Sequence, residues 1–127
     1  MFDLNAYLAD DGNLLRESLR DLYDKNYFRK AWAGELPVRR MKYIRCADGL
    51  EFSAQASAGH YCTPRQNLGP YVAVEIGFPN QRVEEFMEYA EDPKNPTGTV
   101  YGWVPVEVVE AVVNKHGGLA CRSAASV

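Results

Sequence analysis

With 127 residues, 46% of them hydrophobic and 24% charged, the chain has an ordinary globular balance and room for one modest core. No apolar run approaches the roughly 20 residues that span a bilayer, and residues 1–12 carry acids where a signal peptide carries Lys or Arg, so a cytoplasmic protein without membrane contact is expected. Three cysteines, Cys46, Cys62 and Cys121, without CxxC spacing fit reduced thiols rather than a disulfide framework.

In chain order, residues 3–33 read as helical. Asp3 suits the N-cap of a short first helix and Asp11 or Asn13 that of a second. In the second, Leu15, Leu19 and Leu22 keep a 3.6-residue rhythm while Arg16, Glu17, Arg20, Asp21 and Asp24 face water. Tyr27, Phe28 and Trp32 prolong the apolar character until Gly34 and Pro37 stop it, which leaves 34–40 as a linker. Strands are expected near 41–46 and 50–56, joined at Asp48-Gly49, a favoured hairpin dipeptide. Residues 71–78, YVAVEIGF, are rich in β-branched and aromatic side chains and predict a central strand, and VYGWV at 100–104 predicts another. Between them DPKNPTGT is a turn-rich loop.

Pro105 suits the start of a helix that runs to His116, with Val108, Val109, Val112 and Val113 apolar. Valine forms helices poorly, so packing of that face on the sheet must supply much of the stability. Residues 119–127 are small and polar and should fray. The expected fold is α+β: an N-terminal helical module over 1–40, then a small antiparallel sheet packed against a C-terminal helix over 41–127, together one unit.

Residues 59–79, GHYCTPRQNLGPYVAVEIGFP, concentrate chemically capable side chains in one loop, and their Gly and Pro content implies a fixed backbone path. His60, Tyr61, Cys62 and Arg65 sit there. A tetrahedral zinc would accept His60, Cys62, His116 and Cys121, but the spacing matches no finger, so no metal or other cofactor is expected. Cys62 with His60 or His116 as base would make a nucleophile, yet no orienting acid or oxyanion hole accompanies it, and a space-filling thiol beside a backbone-bonded imidazole is the plainer reading. The chain therefore reads as a non-enzyme.

Charge points elsewhere. Residues 1–40 hold seven bases and seven acids, whereas 41–127 hold seven bases and ten acids. Five of those ten, Glu84, Glu85, Glu88, Glu91 and Asp92, fall within nine residues free of any base. Such a segment repels phosphate, so direct nucleic-acid binding is not expected. Its plainest role is solubility; paired carboxylates for acid–base work lack a partner. Among functional roles a docking surface for a basic partner fits best, with Phe86, Met87 and Tyr89 as apolar anchors among the acids. Eight tyrosines suit either a two-layer core or an interface.

GHYCTPR at 59–65, GPY at 69–71, VEIGFP at 74–79, YAEDP at 89–93, TVYGWVPVEVV and the closing KHGG at 115–118 together resemble a family of small proteins encoded by bacteriophages and other mobile elements. The resemblance covers about residues 41–118 and implies no reaction and no functional residue. In kind, such a protein is similar to the small inhibitors that phages use against bacterial immunity, anti-CRISPR proteins above all. The expectation is a stoichiometric inhibitor that docks on a host defence (CRISPR-Cas) complex and blocks its nucleic-acid groove, with a homodimer left open. A small Cys/His-dependent or metal-dependent enzyme and a phage structural or regulatory protein are the alternatives.

Overall fold

The structure is a computed structural model that describes residues 1–16, 18 and 39–120. Most of the helix expected over 13–33 and of the linker over 34–40, and the tail from 121, lie outside the described residues.

Helix α1 spans Leu4–Ala9, and Asp3 caps it as expected, its carboxylate accepting from the Ala6 N–H at 3.0 Å. A 3-10 turn, Asp11–Asn13, follows. Its cap is Asp10, which accepts from the Gly12 N–H; Asp11 and Asn13 lie inside the turn, where the Asn13 amide donates to the Tyr7 carbonyl, and the second helix that one of them is expected to cap lies mostly outside the described residues.

Four strands, β1 (Ile44–Arg45), β2 (Glu51–Gln55), β3 (Ala73–Gly77) and β4 (Val100–Pro105), form an antiparallel sheet in the order β1-β2-β3-β4. The expected hairpin closes at Asp48-Gly49, where Gly49 takes a φ of 101° and its N–H donates to the Cys46 carbonyl. β3 is central, as its composition predicts. The register sets Ile44 opposite Phe52, Ala54 opposite Ile76 and Val74 opposite Val104, so one sheet face is uniformly apolar.

That face is covered by α2, Val106–Lys115, through Val106, Val109, Val112 and Val113. A 3-10 helix, Glu84–Tyr89, closes the same side: Phe86 meets the Phe52 ring edge-on at 5.4 Å and lies 6.0 Å from Tyr101. Each of these fully buried rings contributes about 1.5–3 kcal/mol. Leu4, Leu8 and Leu14 belong to the same core. The Leu4 N–H donates to Glu110 and the Phe2 N–H to Asn114, both on α2, so the first turn of the chain is integral to the α+β fold rather than an appendage.

The chain after α2 turns at Gly117 and Gly118, both at positive φ, and returns to β1. Leu119 pairs with Cys46 and the Ala120 N–H donates to the Arg45 carbonyl, so these two residues, expected to fray, extend the sheet edge.

On the opposite sheet face, Gln55 is buried and grips the backbone of Met41. Its Oε1 accepts from the Met41 N–H at 2.8 Å, and its Nε2 donates to the Met41 carbonyl at 2.9 Å and to the Ser53 hydroxyl. The side-chain amide thus stands in for a neighbouring strand, which explains why residues 41–43, expected as strand, carry only a single bridge, Leu14 to Met41. Gln55→Leu strands two buried backbone groups, each worth about 1–3 kcal/mol, and is expected to lower the urea unfolding free energy by about 2–4 kcal/mol.

Candidate functional site

The 17-residue connection from β2 to β3, residues 56–72, is held by its own polar groups. The buried Ser57 hydroxyl accepts from the Gly59 N–H and shares a hydrogen bond with His60 Nδ1 at 2.6 Å. The Ala58 N–H donates to Asn67, the Tyr71 hydroxyl to the Gln66 carbonyl, and Thr63 pairs with Ala73. The fixed path expected from the Gly and Pro content is therefore present, and this loop presents side chains on a rigid backbone.

Tyr61 is fastened to two strands. Its N–H donates to the Glu75 carboxylate on β3 at 3.0 Å, and its carbonyl accepts from the Trp103 N–H on β4 at 3.1 Å. The fastening is possible because β4 bulges: between the pairs Val74–Val104 and Ile76–Tyr101, Gly102 and Trp103 together face Glu75 alone. Trp103 takes a φ of 52°, a left-handed conformation that is a rare outlier for a bulky side chain. A Cβ on Gly102 would lie 3.4 Å from the Tyr61 Cβ, so glycine is what lets Tyr61 sit this close.

The result is an exposed aromatic pair. Trp103 is 51% and Tyr61 37% exposed, their rings stacked at 5.0 Å and 26°, and the Arg65 guanidinium stands 5.5 Å from the Tyr61 centroid. Trp103 was not foreseeable as part of a site from its strand alone; the one sequence signal was Gly102 interrupting an aromatic strand, a mark of a bulge. Arg40 joins this neighbourhood, since it and Arg65 both lie near enough to His60 to help hold its pKa down.

Of the residues expected here, Tyr61 and Arg65 are presented and Cys62 is not. Cys62 is buried, burial raises its pKa, and its thiol donates towards the Ser57 and Pro64 carbonyls at 3.2 and 3.3 Å. That corrects the nucleophile reading: the sulfur is a protonated donor holding the loop. His60 is half-buried, and burial first, then Arg40 and Arg65, lowers its pKa against the pull of Glu75, which favours the neutral imidazole beside Ser57.

His116 cannot join them. Its Nδ1 pairs with Asp48 at 2.6 Å, and Asp48 and Ser57 lie beyond opposite ends of β2. Five residues of strand span roughly 16 Å at about 3.3 Å each. Among the described residues no three His, Cys, Asp or Glu side chains converge on a metal position, and Cys121 lies outside them. Burial pushes the other described thiol, Cys46, up to about 11.

The acidic segment forms a ridge along β4. Ala90 bridges to Tyr101, the Glu91 N–H donates to the Val100 carbonyl and the Asp92 N–H to the Thr99 hydroxyl. Phe86, expected as a partner anchor, is fully buried and instead anchors the ridge to its own core. Glu84 pairs with Arg82 and Glu85 with Lys115, and the hydrogen bond from Arg82 lowers the Glu84 pKa. Among the described residues no Lys or Arg side chain pairs with Glu88, Glu91 or Asp92, which are exposed. Met87 and Tyr89 are half-buried beside them, and Glu85, Glu88 and Glu107 line a shallow cleft floored by Val108 and Ala111.

Compared with protein-family models, curated proteins and solved structures, the chain matches none. No helix among the described residues is long and apolar enough to cross a membrane.

His60 yields a pH prediction. Its folded pKa lies below the ordinary value, so the unfolded chain takes up the proton first and stability, complete at neutral pH, is lost as pH falls below about 6.5. His60→Asn, which keeps an acceptor for Ser57, should flatten that part of a melting-temperature profile. Trp103→Gly tests the bulge: relief of left-handed strain, about 1–2 kcal/mol, offsets loss of the ring stack, about 0.5–1.5 kcal/mol, so unfolding free energy should move by less than about 1 kcal/mol. A loss of several kcal/mol would mean that the ring is there for stability.

Proposed function

We propose that the protein is a phage-encoded, non-catalytic inhibitor of a bacterial defence complex of the CRISPR-Cas type, acting by stoichiometric protein–protein binding. The observation that carries this reading is the ridge: Glu88, Glu91 and Asp92 stand without a cationic partner among the described residues on a backbone tied to β4 and to the core through Phe86. A row of carboxylates on a backbone of tied path resembles a phosphate backbone in charge, and that backbone needs little ordering on binding. It therefore suits a basic groove that normally takes nucleic acid, with Tyr89 and Met87 giving apolar contact within the acids. The choice of partner follows the expectation that the sequence of residues 41–118 raises.

Purified protein added at one equivalent to CRISPR effector complexes should abolish target-DNA binding by at least one of them. The double change Glu88→Lys and Asp92→Lys should weaken inhibition by about tenfold or more, since like charges across an interface cost several kcal/mol, while leaving the melting temperature nearly unchanged. Inhibition that survives both reversals would remove the ridge from the mechanism, and no inhibition of any complex would remove the function.

A further inference from the structure

We propose that the outer face of the sheet binds single-stranded nucleic acid, an unpaired base stacking on Trp103 and an adjoining phosphate meeting Arg65. This goes beyond the inhibitor reading, which uses the acidic ridge along the β4 edge and expects no direct nucleic-acid contact.

The argument starts from the strain. Trp103 sits in a conformation that glycine adopts freely and tryptophan does not, in mid-strand, with its ring half in water. Trp103 is not part of the buried core, and among the described residues its one ring contact is Tyr61. An outlier kept for an exposed indole points to work done at the surface. The pair is also prepared in advance. Tyr61 is fixed through both its backbone N–H and its carbonyl, and the loop behind it by Ser57, Cys62 and Asn67. A flat, rigid aromatic surface of this kind matches the face of an exposed base, and any base will serve, since each has a π-face.

Charge selects the occupant. Arg65 stands over the Tyr61 ring and has no carboxylate within ion-pairing distance among the described residues, so its positive charge is open to a ligand at the aromatic pair. The Glu75 carboxylate accepts from the Tyr61 N–H beneath the pair, and its charge offsets part of that of Arg65. A stacking ring beside a guanidinium without an ion-pair partner complements a base and its phosphate, whereas the acidic ridge along the β4 edge repels the same ligand. Few bases mean weak, local binding. A duplex, whose bases are already stacked on one another, offers no free face to Trp103.

Fluorescence anisotropy of labelled oligothymidylate and oligouridylate, with a DNA duplex of the same length as control, tests the proposal on the full chain at low salt. Both single strands should bind and the duplex should not. Trp103→Ala should weaken binding by about tenfold, and Arg65→Ala should reduce the slope of log affinity against log salt by about 0.7, the share of one single-strand phosphate. Trp103→Gly, expected to fold normally, should lose binding too, which separates loss of the ring from loss of the fold. The proposal is overturned if neither single strand binds, in which case the face is left to a protein partner, or if the folded Trp103→Gly protein binds as wild type does. Neither result depends on the ridge, so the inhibitor reading stands or falls separately.

Discussion

One extra residue in β4 is the constraint on which the arrangement of this surface depends. With Gly102 and Trp103 both set against Glu75, the strand turns the Trp103 N–H towards the loop and the indole towards water. The loop answers with the Tyr61 carbonyl, and Tyr61 can approach only because Gly102 has no side chain. A regular ladder at this point would have left the 56–72 connection without its central tether. The bulge thus lets Tyr61 tie the long loop to both β3 and β4.

The same β4 strand organises the acidic ridge. Its Tyr101 lies in the core against Phe86, and its edge backbone accepts the chain at Ala90 and Glu91. Acids with no cation among them would repel one another in a free segment. They hold a common path here because one aromatic ring is fully buried beneath them, and burial of a phenylalanine outweighs several exposed like-charge contacts. The aromatic pair and the acidic ridge therefore share one strand and one core.

Burial also decides which reactive groups are chemically available. A thiol two residues from an imidazole suggests a nucleophile only while both are free. Once Cys62 is out of water and donating to carbonyls, its charged form is disfavoured, and His60 is committed to Ser57. Polar chemistry that looked catalytic is spent on holding the loop's shape. Gln55 is the parallel case on the same sheet face, its amide satisfying a backbone that has no strand beside it.

Patterns of local origin were legible in the sequence: the Asp3 cap, the Asp48-Gly49 hairpin, the valine face of α2, the apolar alternation of β3 and the acidity of residues 84–92 all arise from residues that are neighbours along the chain. The α+β class followed from them. What the sequence could not settle was which side chains reach water, because that depends on partners distant in the chain. Phe86 and Trp103 are both aromatic residues in amphipathic surroundings; packing against Phe52 buried the first, and a bulge opposite Glu75 exposed the second. Local periodicity assigns a residue to a strand or a turn, but only the register between strands assigns it to a face, and a single inserted residue is enough to reverse that assignment.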